Sequence, residues 1–271
     1  MDFITVVYDA EVHLLEWQAK SICKYVDPTV VNKIIIVDNG SQNCIIDRKW
    51  YGVFENKLEV ITHKDLQLQV LQHLDGWRTQ QLCKLLASAR SKTDWSIILD
   101  AKTFFARPFD IGTVLDNGKP CVGQLSIVDF WRDSKLFLEE LYDIQLEKMI
   151  GPGGVPFFFH NETVREMIAS IENFNNWFQE KLYESIPPHR TLVTEFMLYS
   201  AYVFKKFGSY DKLYSSKSTI RPFNISDWEA KKFENIFSAD AHTISVAEKT
   251  KRFLSNEQLN RWKSFINEKY N

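Results

Sequence analysis

Trp95-Ser96-Ile97-Ile98-Leu99-Asp100-Ala101-Lys102 sets an apolar run against an aspartate and, two positions later, a lysine. The run reads as a buried strand that delivers both side chains at its carboxyl end, where α/β sheets place their ligands. Two carboxylates at such a spacing, Asp-x-Asp, hold a divalent cation against a pyrophosphate, because hard oxygen ligands suit Mg²⁺ or Mn²⁺. Here Lys102 stands in the second position. An ammonium has the wrong charge to ligate a metal and the right charge to neutralise a phosphate directly.

Other residues with chemical capacity lie around this motif. Gly76-Trp77-Arg78-Thr79-Gln80-Gln81-Leu82-Cys83-Lys84-Leu85-Leu86 opens a helix that leads into the strand, and Gln81 and Lys84, three apart, share a face near its start. Backbone amides and the helix dipole there favour an anion such as a diphosphate, although a solvated face explains the same spacing. Asp38 closes Ile34-Ile35-Ile36-Val37 and precedes Asn39-Gly40-Ser41, so it either binds a base or ribose group or caps its own turn. Tyr8, after the first apolar run, could stack on a base or cover the sheet edge. In Thr194-Glu195-Phe196-Met197-Leu198-Tyr199, Glu195 is a lone carboxylate in an apolar helix. Facing solvent, the commoner case, it does nothing; in a cleft it could take a proton from a hydroxyl. His242, in a late strand or loop, is by pattern an ordinary histidine.

The elements that must position these groups alternate. Strands are expected at Phe3 to Tyr8, Lys33 to Val37, Leu58 to Thr62 and Trp95 to Leu99, with helices at Glu11 to Tyr25 and Trp77 to Ser91. Nearly all-apolar strands separated by helices imply an α/β chain with a mainly parallel central sheet flanked by helices. The remainder reads as helix-rich. Helices are expected at Phe130 to Lys148, at Thr163 to Glu172 with Asn161 as N-cap, at Leu192 to Phe207 closed by Gly208, and at Ser255 to Tyr270, where Leu259, Trp262 and Ile266 share a face. Gly151-Pro152-Gly153-Gly154-Val155-Pro156 is too short for a linker and reads as a shaped loop at a site. One domain, 1–271, is expected, with a binding half at 1–125 and an elaborated half at 126–271.

Composition narrows the function. The 271 residues carry 33 Lys+Arg against 35 Asp+Glu, so no basic excess points to nucleic acid. The four cysteines are widely spaced and read as free thiols of a reducing compartment, and no apolar run is long enough to span a bilayer, so a cytoplasmic location is expected. Gly-x-x-x-x-Gly-Lys, Gly-x-Gly-x-x-Gly and Gly-x-Ser-x-Gly motifs are absent, which removes support for kinase, dinucleotide and serine-hydrolase readings.

The order Gly76-Trp77, Gln80-Gln81, Lys84-Leu85, then Ile98-Leu99-Asp100-Ala101-Lys102-Thr103-Phe104-Phe105 with Arg107-Pro108, then Pro156-Phe157, then Thr194-Glu195-Phe196, Tyr199 and Tyr202-Val203 resembles a group of largely uncharacterised bacterial and phage proteins with the GT-A (Rossmann-like) glycosyltransferase fold. The resemblance implies a hexosyltransferase-like enzyme that moves a sugar from a nucleotide-diphosphate donor to a hydroxyl of a glycan, lipid or protein acceptor. It implies donor positions at Tyr8, Asp38, Trp77, Gln81, Lys84, Asp100 and Lys102, an acceptor-side carboxylate at Glu195, and a Mn²⁺ or Mg²⁺ site at Asp100 completed by His242. Lys102 departs from the Asp-x-Asp pattern. It leaves metal dependence open and gives a second reading, an inactive relative that keeps only nucleotide binding or serves as a scaffold. A nucleotidyltransferase would need a glycine-rich basic loop after the first strand, where Tyr8-Asp9-Ala10-Glu11-Val12-His13 is acidic and lacks glycine.

Overall fold

The computed structural model describes every residue except 42–44, 72–74, 153–154, 184, 187–189, 192, 218–221, 226–242, 247–255 and 271. Its centre is a five-stranded sheet. β1 (Asp2–Val7), β2 (Lys33–Asp38), β3 (Leu58–Ile61) and β4 (Trp95–Asp100) run parallel in the order β4-β1-β2-β3. The inner strands are buried along nearly their whole length, as expected where helices cover both faces. α1 (Val12–Tyr25) and α2 (Gly76–Arg90) provide that cover, and β5 (Thr103–Phe105) follows the β4 turn at once.

α2 joins the two halves of the chain. Asp75 caps its start by accepting from the Arg78 amide at 2.8 Å. The helix then packs on β1 on one side and on three helices of the second half on others, α5 (Asn161–Ala169), α6 (Phe174–Tyr183) and α7 (Glu195–Phe207). Its middle is therefore enclosed nearly all round, and Gln81 and Lys84 are buried rather than solvated.

The chain beyond β5 contains more strand than expected. After α3 (Ile111–Val114) come two short antiparallel pairs, β6 (Leu115–Asp116) with β7 (Lys119–Pro120) and β8 (Gln124–Ser126) with β9 (Lys148–Ile150). The helix expected to reach Lys148 is α4 (Arg132–Tyr142). It stops because Asp143 turns into the left-handed region, and the chain after it joins β9. β10 (Phe157–His160) adds an antiparallel edge to β4, with Phe157, Phe158 and Phe159 fully buried. β11 (Ser185–Ile186) pairs with β12 (Arg190–Thr191). β13 (Pro222–Ile225) and β14 (Thr243–Val246) form a small sheet with β5 and brace the chain just beyond Lys102.

Asn161 is not the N-cap of α5. His160 occupies that position, and Asn161 begins the helix with its amide donating to Ser91 Oγ and the Thr93 carbonyl, both at 2.8 Å. The cap is traded for a tie between α5 and the α2–β4 turn. α7 starts at Glu195, with Thr194 Oγ1 accepting from the Met197 amide at 3.4 Å, and ends at Gly208 with φ +68°, as expected for a C-terminal glycine. α8 (Asn256–Tyr270) docks on α1, where Trp17 Nε1 donates to Asn267 Oδ1 at 3.0 Å and Tyr270 Oη donates to the Phe105 carbonyl at 2.8 Å. Ile266 is buried there, while Ser255 and the side chains of Leu259 and Trp262 lie outside the described residues. Cys23, Cys83 and Cys121 are free thiols; Cys44 lies outside the described residues. Among the described residues no helix is long and apolar enough to cross a membrane.

Replacing Asn161 by alanine removes the donors that join α5 to the turn before β4. Urea unfolding should show a loss of about 1–3 kcal/mol with an unchanged m-value, the range for a buried polar partner left unpaired.

Candidate active site

The carboxyl ends of β1 and β4, the first half of α2 and the start of α7 converge on two adjoining cavities. The larger, about 420 Å³, is walled by Tyr8, Asp9, Glu11, Trp77 and the Asp100–Lys102 turn. The smaller, about 190 Å³, is walled by Gln81, Lys84, Trp131, Met149, Val155 and Glu195. Trp77, Gln80, Asp100 and Lys102 line both and form the threshold between them.

A three-member ionic cluster sits at the back of the smaller cavity. Lys84 Nζ lies 3.2 Å from Asp100 Oδ1 and 3.1 Å from Glu195 Oε1, and 5.2 Å from the centroid of the Phe196 ring. Lys84 and Glu195 are each 4 % exposed, so the pair is close to fully desolvated. Burial alone would push the Lys84 ammonium down, but its two carboxylates outweigh it and hold the amine charged, above the ordinary lysine range. Burial also opposes ionisation of Asp100, yet Lys84 and Lys102 together bring its carboxyl below the usual range. Glu195 goes the other way. Burial raises its carboxyl above the ordinary glutamate value, and Lys84 offsets only part of the rise. Two carboxyls pushed in opposite directions around one cation are the environment in which acid–base roles separate.

Positioning comes from buried amides. Gln81 Oε1 accepts from the Glu195 backbone amide at 3.4 Å, and its Nε2 is buried without a partner. Gln18, fully buried on α1, donates through Nε2 to the Asp100 carbonyl at 2.7 Å and to the Thr103 carbonyl at 3.1 Å, while its Oε1 accepts from Thr5 Oγ1 at 3.0 Å. It clamps both ends of the turn that presents Asp100 and Lys102. The Asn39 side chain donates to the Gly76 carbonyl at 2.9 Å and so ties the end of β2 to the start of α2. Tyr8 lies over Gly76 so closely that a Cβ there would collide with its ring, and this contact requires glycine.

Of the residues singled out in the sequence, Tyr8, Trp77, Gln81, Lys84, Asp100, Lys102 and Glu195 come together around the two cavities. Asp38 does not line them. It is buried at the end of β2, where its Oδ1 accepts from the Gly40 amide at 2.9 Å and holds its own turn. His242, Gly153 and Gly154 lie outside the described residues. Gln18 and Trp131 carried no motif. Gln18 is signalled only by a polar residue at a core-facing position between Leu14 and Ile22.

At Asp100, Lys84 stands 3.2 Å from one carboxylate oxygen and Lys102 adds a second positive charge, and among the described residues, which leave out His242, no three His, Cys, Asp or Glu groups gather into a cage.

A family of unknown function (DUF6492) matches residues 6–254, most of the chain. The chain belongs to that family. No curated protein matches it. Among solved structures it is similar to the galactosyltransferase LgtC with donor and acceptor sugar analogues, at 10 % identity and a TM-score of 0.46 over 96 % of both chains. It is also similar to the bifunctional glycosyltransferase WbbM (11 %, TM-score 0.44, 90 % of this chain and 45 % of that one) and to the glycosyltransferase GlyE of Streptococcus pneumoniae TIGR4 (13 %, TM-score 0.40, 95 % and 55 %). At such identities the residues of the site must carry any functional reading of this family member.

Lys84→Met should leave two carboxylates buried without their cation, at a cost on the order of 3–5 kcal/mol. Its sign with pH is distinctive. In the wild type, the stability from Asp100's lowered pKa is present above its unfolded value and lost as pH falls through the folded one. In the variant the burial of both carboxyls is no longer opposed by Lys84, so the stability deficit measured by denaturation should widen as pH rises above the ordinary carboxylate range.

Proposed function

We propose that the chain is a glycosyltransferase that moves a sugar from a nucleotide-diphosphate donor to an acceptor hydroxyl. The observation that carries this reading is the buried Lys84–Asp100–Glu195 cluster behind a threshold formed by Asp100 and Lys102, with a larger cavity on one side and a smaller one on the other. The larger cavity suits a nucleoside, with the Tyr8 ring for the base and Trp77 at the lip. Lys102 meets the diphosphate where it crosses the threshold, and the sugar enters the smaller cavity against Gln80, Gln81 and Trp131.

In this reading the bond between the anomeric carbon and the diphosphate oxygen breaks, and its electron pair leaves with the diphosphate beside Lys102. The acceptor oxygen bonds to the anomeric carbon and its proton passes to Glu195. Glu195 suits the task because its raised pKa makes it a better base than an ordinary glutamate. Lys84 orients both carboxylates and does not touch the diphosphate, a different duty from the one expected of a residue near a helix start. Charge neutralisation falls to Lys102, aided through Asp100 by Lys84, and we assign no step to Mn²⁺ or Mg²⁺. Asp38 takes no part in this reading.

Lys102 also favours a second reading, a relative that binds nucleotides without turnover. The two separate in a single assay: release of nucleoside diphosphate from UDP- and GDP-sugars, with water as the default acceptor. Turnover is expected in the wild type, with activity lost on the acid side at a pH above the ordinary glutamate range. Glu195→Gln should lose about 10²-fold or more in kcat, keep the donor KM, and abolish that acid limb. Binding without release in the wild type would favour the second reading.

A further inference from the structure

A third cavity, about 480 Å³, lies apart from the site and is larger than either of its chambers. Its wall includes Gln124, Gln145, Glu147, Lys148, Phe204 and Asp211. It is built rather than incidental. Gly208 turns the chain away from the end of α7 and leaves the space beside it open, since a Cβ there would meet nothing within 4 Å. Buried Tyr210 roots its floor by donating from Oη to the Lys148 carbonyl at 2.8 Å, and Gln124 Nε2 donates to Asp211 Oδ1 at 3.1 Å.

Three stretches of chain join this cleft to the smaller chamber of the site. α7 contributes Glu195, Phe196 and Met197 to the chamber and Phe204 to the cleft, seven to nine residues or about 10–14 Å apart along the helix. On β9, Met149 faces the chamber and Lys148 the cleft, as the alternation of a strand requires. The segment from Gln124 to Trp131 starts at the cleft and ends at the chamber, and between them it exposes Leu125 (42 %) and Val128 (59 %).

We infer that the cleft is a remote subsite for the far end of an extended neutral oligosaccharide acceptor whose reacting end occupies the chamber. This rests on the glycosyltransferase reading. The chemistry of the wall selects the ligand: two side-chain amides and two carboxylates match the donors and acceptors of sugar hydroxyls, and the Phe204 ring and the exposed Leu125 and Val128 match the apolar faces of pyranose rings. One lysine against two carboxylates disfavours a polyanionic chain. A separation of up to about 14 Å along α7 calls for about three linked sugars, so a monosaccharide or disaccharide reaches only one of the two cavities.

The test is an array of immobilised malto-, chito- and β-galacto-oligosaccharides of increasing length, probed with the wild type and with Gln124→Ala/Glu147→Ala, whose residues are outside the proposed catalytic machinery. The wild type is expected to retain long members of at least one series better than its disaccharide. The variant should lose about tenfold in affinity for the long members and nothing for the disaccharide. No retention of any oligosaccharide, or equal retention by wild type and variant, would overturn the inference. Thermal stabilisation by UDP or GDP, read alongside, keeps the two claims separable: nucleotide binding without oligosaccharide binding removes the subsite and leaves the donor reading standing.

Discussion

One ammonium group sets the terms for the rest of the site. Lys84 is held in a nearly dry interior by Asp100 from β4 and Glu195 from α7, and neither carboxylate could stay where it is without it. A buried charge of this kind stabilises little by itself, because desolvation consumes most of the Coulomb gain. Its effect is on geometry and on protons. It joins the parallel sheet of the first half to the helices of the second at one point, and it splits two similar carboxyls into one held ionised and one raised. A single surplus negative charge in the cluster is then balanced by Lys102 at the threshold, so the arrangement is neutral only as a group of four.

The surrounding fold serves that point. A parallel sheet buried on both faces ends all its strands on one edge, and β4 ends there with Asp100. Gln18 clamps the turn beyond it, and β14 pairs with β5 directly after that turn, so the backbone carrying Asp100 and Lys102 is gripped from two sides. α2 must be enclosed by helices from the second half for Lys84 to be dry, which is why the α5 tie through Asn161 and the aromatic packing of Phe157 on Phe196, with ring centroids 4.3 Å apart, bear on the chemistry.

The parallel sheet of the first half was legible in the sequence strand by strand, because runs such as Ile34 to Val37 and Ile97 to Leu99 are too uniformly apolar to be anything but inner strands, whereas the short elements after Lys102, β5, α3, β6 and β7, were not. The second half was less so. A helical pattern from Phe130 to Lys148 hid the left-handed stop at Asp143 and the strand beyond it, since three-residue strands leave no period to read. For the site, residue types at strand and helix ends were informative and burial was not. Gln81, Lys84 and Glu195 look like surface residues on spacing alone, and their burial depends on helices some 80 to 120 positions away that no local pattern encodes. Asp38 shows the converse: a carboxylate at an inviting strand end whose bond goes to its own turn. Gln18 was missed because it reaches the site only through the backbone carbonyls of the turn, which carry no residue signature.

The central claim is that the threshold between the two cavities receives a nucleoside diphosphate through lysine rather than through a metal. Thermal-shift titration of the wild type with UDP, GDP and CMP, each with and without Mn²⁺, tests it most directly, because a ligand that binds only the native state raises the melting temperature by an amount that grows with the logarithm of its concentration over its Kd. The account predicts that one nucleoside diphosphate stabilises the protein, and does so equally with and without Mn²⁺. Stabilisation that appears only with Mn²⁺ would contradict the role given to Lys84 and Lys102, and no stabilisation by any nucleotide would contradict the donor site itself.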